Sequence, residues 1–201
     1  MKVTVIDHGA ANVSSVERAL MRIGVTSERA ATPDSIATAQ ALILPGVGHF
    51  SALVRTLDEQ SLRQPLSDAI TRGAPFLGIC LGLQALYDAS EEAPSLRGLG
   101  VLPGQVTSLP NNVKLPHMGW NRLRTLNGSR LLRGVPADSY FYFAHSFAAP
   151  VSEHTAAACA YGPEFAAAIE RGNLFAVQFH PEKSGAAGEQ ILCNFAALAA
   201  A

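Results

Sequence analysis

Pro75-Phe76-Leu77-Gly78-Ile79-Cys80-Leu81-Gly82-Leu83-Gln84 is the stretch on which the reading of this chain turns. Pro75 to Ile79 is a short apolar run of buried-strand type, the residues from Leu81 to Tyr87 read as a helical stretch, and Cys80 stands at the junction. A tight strand-to-helix turn lifts its apex residue above the sheet in a strained conformation. Glycines at 78 and 82 remove the Cβ atoms that would collide in so sharp a turn. The positive end of the following helix points at the sulfur and favours thiolate, the reactive form, and amides there can stabilise an oxyanion. Gly78-Ile79-Cys80-Leu81-Gly82 therefore has the form of a nucleophile elbow with Cys in place of Ser.

On either side of this stretch the chain alternates strand and helix. Val3 to Ile6 is a β-rich run ending at the turn signal Asp7-His8-Gly9, and Val13 to Ile23 carries apolar residues at helical spacing up to Gly24. Ala41 to Leu44 is an apolar strand that stops at Pro45-Gly46-Val47-Gly48. Ser51 to Arg72 reads as a helix with Ser51 as cap, Gly73 as stop and Pro65 as a break or kink. Apolar strands separated by helices predict a mostly parallel central sheet covered on both faces. Beyond about residue 98 the texture changes to strand-like pieces with short turns, at 101–109, 114–123, 140–147, 155–160, 165–170 and 174–179, closed by an Ala-rich helix at 188–199. With no repeat and no low-complexity linker, the expectation is a single α/β domain over 1–201 with an antiparallel extension in its second half.

A thiolate nucleophile needs a proton acceptor, and the acceptor needs an orienting group. Of the six histidines, His180 ends the apolar run Phe175-Ala176-Val177-Gln178-Phe179 and is followed by Pro181-Glu182. In an extended chain positions i and i+2 share a face, so His180 and Glu182 are expected to point together toward the sheet edge that carries Cys80. Pro181 keeps the dipeptide out of helical geometry. The adjacent glycines of Pro45 to Gly48 expose backbone N–H groups that could supply a second oxyanion donor.

The 201 residues give 15 Lys+Arg against 16 Asp+Glu, a net charge of −1 with no basic block, which speaks against an electrostatic nucleic-acid binder or a polybasic membrane anchor. Charged residues make up 15%, against roughly 25% in average soluble proteins, which leaves room for a surface covered by a partner. The N-terminal apolar run is too short for a signal peptide, and no stretch of 18 or more apolar residues is present. Cys80, Cys159 and Cys193 show neither CxxC nor zinc spacing, the usage of a reducing, cytoplasmic protein without a bound metal. Cys159 and Cys193 are expected in the core.

Taken together, Pro-Gly-Val-Gly at 45–48, Gly-Ile-Cys-Leu-Gly-Leu-Gln at 78–84 and Gln-Phe-His-Pro-Glu at 178–182 resemble the class I (triad type) glutamine amidotransferases over nearly the whole chain. The resemblance implies that Cys80 is the nucleophile, His180 the general acid/base and Glu182 its orienter. It places an oxyanion hole at the Leu81 amide and at Val47–Gly48. Gly46, Gln84 and Glu92 would bind glutamine, Glu92 through the α-ammonium, with the main chain of His145, Ser146 and Phe147 lining the same pocket. No metal or organic cofactor is implied.

Asp7-His8-Gly9 with Asn12 and Ser15, Pro45 to Phe50, Leu115 to Asn121 and Tyr142 to Ser146 resemble one branch of this family, the glutaminase subunits that pass ammonia to an eight-stranded β/α-barrel cyclase in histidine biosynthesis. In that branch Asn12, Trp120 and Tyr142 match partner-facing positions, and the Pro45 to Gly48 segment is expected to rest inactive until the partner's substrate binds. The first loop departs from the usual Asp-Tyr-Gly-x-Gly-Asn at His8 and Ala11, close to the docking surface. His117 reads as structural or interfacial. The alternatives are glutaminase subunits of pyridoxal phosphate or anthranilate synthesis, against which the 115–121 and 142–146 motifs argue, a standalone γ-glutamyl cysteine hydrolase, and a non-catalytic module.

Overall fold

The structure is a computed structural model and describes residues 2–9, 12–126 and 128–200, so Ala11 lies outside the described residues. The first half runs β1 (Lys2–Ile6), α1 (Val13–Arg22), β2 (Thr26–Ala30), α2 (Pro33–Ala37), β3 (Leu42–Gly46), α3 (Phe50–Glu59), α4 (Arg63–Thr71), β4 (Phe76–Cys80), α5 (Leu81–Gln84) and β5 (Tyr87–Ser90). The second half runs β6 (Leu102–Ser108), β7 (His117–Arg122), β8 (Arg124–Thr125), β9 (Tyr140–His145), β10 (Phe147–Ala148), β11 (Thr155–Ala160), β12 (Glu164–Arg171), β13 (Leu174–Val177), a 3₁₀ turn (Pro181–Lys183) and α6 (Gly185–Ala199).

An eight-stranded sheet in the order β2-β1-β3-β4-β13-β12-β11-β8 forms the centre. Its pairings from β2 to β13 are parallel, and from β13 to β8 antiparallel, which is the mixed α/β architecture expected from the sequence. The central strands bury every residue; Phe76 and Leu77 are wholly enclosed, each worth about 1.5–3 kcal/mol of burial. Parallel neighbours bring their C-terminal ends to one edge. There Cys80 pairs with Gly46 of β3 and Ile79 with Val177 of β13, so the segment 178–180 emerges beside the sulfur.

Several local expectations are corrected. The helix read from Ser51 to Arg72 is two helices, interrupted at Ser61 (φ 57°) with buried Leu62 beyond it. Pro65 sits in the first turn of α4, where its missing N–H has no helical partner to lose. His49, not Ser51, caps α3, its Nδ1 accepting from the Ser51 amide. The helix after Cys80 stops at Gln84, and Tyr87 already belongs to β5. Not every later piece joins an antiparallel array: β5 and β6 pair in parallel within a small sheet completed by β10. β2 and α2 gave no apolar period because β2 is an edge strand with mostly polar, accessible side chains. Cys159 is buried as expected, and burial pushes its thiol up to about 12; Cys193 is only half-buried.

Candidate active site

Cys80 adopts φ 53°, ψ −105°, one of two described non-glycine residues at positive φ. That strain is the local signature of the elbow, held by packing on both sides. A Cβ on Gly78 would come within 2.8 Å of the Gly82 carbonyl oxygen, and one on Gly82 would run into the Leu44 carbonyl oxygen of β3. Gly82 therefore serves less to relieve the turn itself than to let α5 lie directly on the neighbouring strand. Leu81 opens α5, so its amide has no acceptor within the helix.

The side chains of His180 and Glu182 are both enclosed, with Nδ1 of the ring 2.9 Å from Oε1 of the carboxylate. An ionised carboxylate only accepts, so Nδ1 carries a proton and Nε2 is left for chemistry. The pair meets by a different route from the extended chain expected: His180 is extended (φ −101°, ψ 97°), but Pro181–Lys183 is a 3₁₀ turn that swings Glu182 back under the ring. The Pro181 ring occupies the first position of that turn rather than excluding it. Burial disfavours the imidazolium, but the Cys80 sulfur and the Glu182 carboxylate overcome it and raise the ring to about 10.

A cavity of about 150 Å³ is lined by Val47, Gly48, Cys80, Leu81, Gln84, Glu92, Ala144, His145, Ser146, Phe147, His180 and Lys183. It thus brings together most of the residues singled out in the sequence, from five separated stretches of chain. Gly46 is not on its wall: β3 carries that residue in the pairing with Cys80, one place behind the lining. Glu182 stands behind His180, and Asn12, Trp120 and Tyr142 lie outside the cavity. A more open groove of about 600 Å³ beside α1 and β2 has neither cysteine nor histidine in its wall. Among the described residues no cluster of His, Cys, Asp or Glu could hold a metal ion, and no helix is long and apolar enough to cross a membrane.

Glu92 is fixed by the amide of Phe50, 2.6 Å from its Oε2, so it caps α3 while bordering the cavity. The Phe147 carbonyl accepts from Gln84 Nε2 at 2.8 Å and from His145 Nδ1 at 2.9 Å. His145 Nε2 faces His117 Nδ1 at 3.1 Å, and burial holds His145 down to about 3 and His117 to about 4. His117 is stacked between Phe143 and Tyr161, a packed core ring. His8 is buried, with Nε2 2.9 Å from the Pro45 carbonyl oxygen at the start of the Val47–Gly48 approach.

Asn12 caps α1, its Oδ1 accepting from the Ser15 amide. Trp120 is 55% exposed and meets the half-buried Tyr142 edge to face across the β7–β9 ribbon. Three features escaped the sequence reading. Lys183 lines the cavity and approaches the Tyr142 ring, a position its place in His180-Pro-Glu-Lys would have suggested. Exposed Met118 lies two residues before Trp120 on β7. Gln178 reaches the Cys80 sulfur.

The elbow, the His–Glu pair and the mixed sheet that carries them lie within a chain that a family model for glutamine amidotransferase class-I matches over residues 4–198: the chain belongs to that family. At the level of particular relatives, it is 45% identical over 198 residues to the imidazole glycerol phosphate synthase subunit HisH of Moorella thermoacetica, covering 98% of this chain and 94% of that protein. The subunit HisH of Methanothermobacter thermautotrophicus is 45% identical over 194 residues, covering 96% of each chain. A solved crystal structure of a glutamine amidotransferase superposes with a TM-score of 0.79 at 19% identity, covering 99% of both chains, and shares the fold.

Proposed function

We propose that this chain is the glutaminase subunit of an imidazole glycerol phosphate synthase, hydrolysing L-glutamine to L-glutamate and ammonia through a Cys80 thioester. The reading rests above all on one observation, that Cys80 and the His180–Glu182 pair border one small cavity. Its identity at 45% to two subunits of that name supports the assignment to histidine biosynthesis.

Glutamine enters with its carboxamide over the sulfur, Glu92 pairs with its α-ammonium, and Gln84 and the 145–147 main chain hold the rest. The Cys80 thiolate adds to the carboxamide carbon. Charge gathering on oxygen is met by the Leu81 amide and by N–H groups of Val47–Gly48; a lost donor of this kind costs roughly 10²–10³ in turnover. His180, an imidazolium at the outset, gives its Nε2 proton to the departing nitrogen, and ammonia leaves as the γ-glutamyl thioester forms. The neutral ring then takes a proton from water, whose oxygen attacks the thioester, and the C–S bond breaks with its electron pair returning to sulfur. Glu182 holds the Nδ1 proton throughout.

Ammonia released into neutral water would become ammonium and lose its nucleophilicity. A separate β/α-barrel cyclase, docked on the face that carries Asn12, Trp120 and Tyr142, would receive it directly and form imidazole glycerol phosphate. The chain is assigned to the cytoplasm, with glutamine as its only small-molecule substrate and no cofactor of its own.

A glutaminase assay of the chain alone and with a candidate cyclase and acceptor analogue tests the proposal, alongside covalent labelling of Cys80 by a glutamine-mimicking electrophile. Glutamate formation should be stimulated in the complex and abolished by Cys80→Ala. Glutamine breakdown that survives Cys80→Ala would overturn it.

A further inference from the structure

The sulfur of Cys80 has a neighbour that the mechanism above does not use. Gln178 is fully buried one residue beyond the end of β13, and its Nε2 lies 3.6 Å from Cys80 Sγ. The two ends of a glutamine amide have nearly the same shape, so the direction of this contact is settled by its partners. The Phe147 carbonyl can only accept, so the Gln84 group 2.8 Å from it is the amino end. The same Gln84 nitrogen lies 3.2 Å from the Gln178 side chain, which must therefore present its oxygen. Turning Gln178 over would oppose two N–H donors on buried side chains. Its own N–H group is left facing the sulfur. His145 Nδ1, donating to the second lone pair of the same carbonyl, completes the anchor.

The other group near the sulfur has the opposite preference. The Ala144 carbonyl oxygen, 4.0 Å away, can accept from a thiol and repels a thiolate. An N–H donor opposite it favours the anion. We infer that Gln178 is a catalytic residue, its amide N–H aimed by Gln84 at Cys80 Sγ to stabilise the sulfur anion both in the free enzyme and as it leaves the γ-glutamyl thioester. No proton is transferred: when the C–S bond breaks, the electron pair stays on sulfur and the N–H···S contact strengthens as charge returns. Because Gln84 borders the cavity, the donor that serves the sulfur is aimed by a residue within reach of substrate.

The inference rests on Cys80 being the nucleophile, and the experiment separates the two. The rate of Cys80 alkylation by iodoacetamide is followed across pH in the full chain, in Gln178→Met, which removes the donor at similar volume, and in Gln178→Glu, which keeps an oxygen for Gln84. The midpoint of the profile should rise by about one pH unit in Gln178→Met and at least as far in Gln178→Glu, because a hydrogen bond to a charged group is worth about that much. Glutaminase kcat should fall roughly ten- to a hundredfold while KM stays within about twofold. A midpoint that stays in place in either folded variant overturns the inference even if activity falls, since a purely packing role would lower turnover without moving the profile. A measurement on the unaltered protein covers variants that do not fold: the Gln178 side-chain amide resonance should shift with the same midpoint as the alkylation rate, and a resonance that does not move refutes the role. If the glutamine-mimicking electrophile fails to label Cys80 at all, it is the assignment of the nucleophile that falls.

Discussion

At the scale of single residues, the site is a contest between burial and charge. His180 is enclosed, which by itself would strip its proton, yet the sulfur and the Glu182 carboxylate hold the ring at about 10. Because the folded value lies above the ordinary 6.5, the imidazolium stabilises the fold fully below that pH, and the contribution is lost as pH rises through about 10. Cys80→Ala removes the leading favourable partner and leaves burial in place. The His180 ring, followed by NMR, should then lose its proton at markedly lower pH than in the unaltered chain; an unchanged titration would mean that the sulfur and ring do not interact. The identities of these residues were legible in the sequence because Gly-x-Cys-x-Gly and His-Pro-Glu are compact signals. Their means of meeting was not: a period-2 argument cannot anticipate that Pro181 would begin a 3₁₀ turn. Gln178 carried no role in the sequence beyond its place in Gln-Phe-His-Pro-Glu, because an amide at the end of an apolar run has no signature until its partners, 94 and 98 positions away, are known.

At the scale of elements, the strands that carry the site were readable because burial on both faces leaves uninterrupted apolar runs, as in β3 and β4. The edge strand β2 was not, since it is held by pairing with β1 and its polar, accessible side chains, such as Arg29 reaching Glu17 and Asp7, leave no apolar face to read. Likewise the division of α3 from α4 depends on one left-handed residue, Ser61, that composition does not mark, whereas Pro65 drew attention although the first turn tolerates it. The contact between α5 and β3 is the element-scale feature most exposed to test. With Gly82 pressed onto the Leu44 carbonyl, Gly82→Ala must displace the helix, the strand or both. A loss of about 3 kcal/mol in unfolding free energy is expected, together with failure of Cys80 labelling in whatever protein remains folded. A variant with normal stability in urea denaturation would show that α5 is free to move away from the sheet.

At the scale of the whole molecule, the β7–β9 ribbon joins exposed Met118, Trp120 and Tyr140 to Ala144 and His145 of the cavity wall. Met118 and Trp120, at 64% and 55% exposure, alternate onto one face of β7. The strand beside them bonds the site itself: the Tyr142 carbonyl accepts from the His180 amide at 2.9 Å, and the Tyr142 amide donates to Ser184 Oγ at 3.0 Å. A cyclase seated on the ribbon would press on a backbone that also sets His180, whereas docking anywhere on the far edge of the sheet would not. Large aromatic residues at such positions carry a disproportionate share of association energy, about 2 kcal/mol or more when truncated. Trp120→Ala should therefore weaken the complex by roughly thirtyfold in Kd, read by calorimetric titration with the cyclase. Stimulation of glutaminase activity should shift to correspondingly higher cyclase concentration and return at saturation, because the truncation removes contact area and leaves the Tyr142–His180 backbone bond in place. An unchanged Kd would move the docking face off the ribbon, and an unchanged Kd with lost stimulation would make Trp120 part of the coupling and not of the attachment.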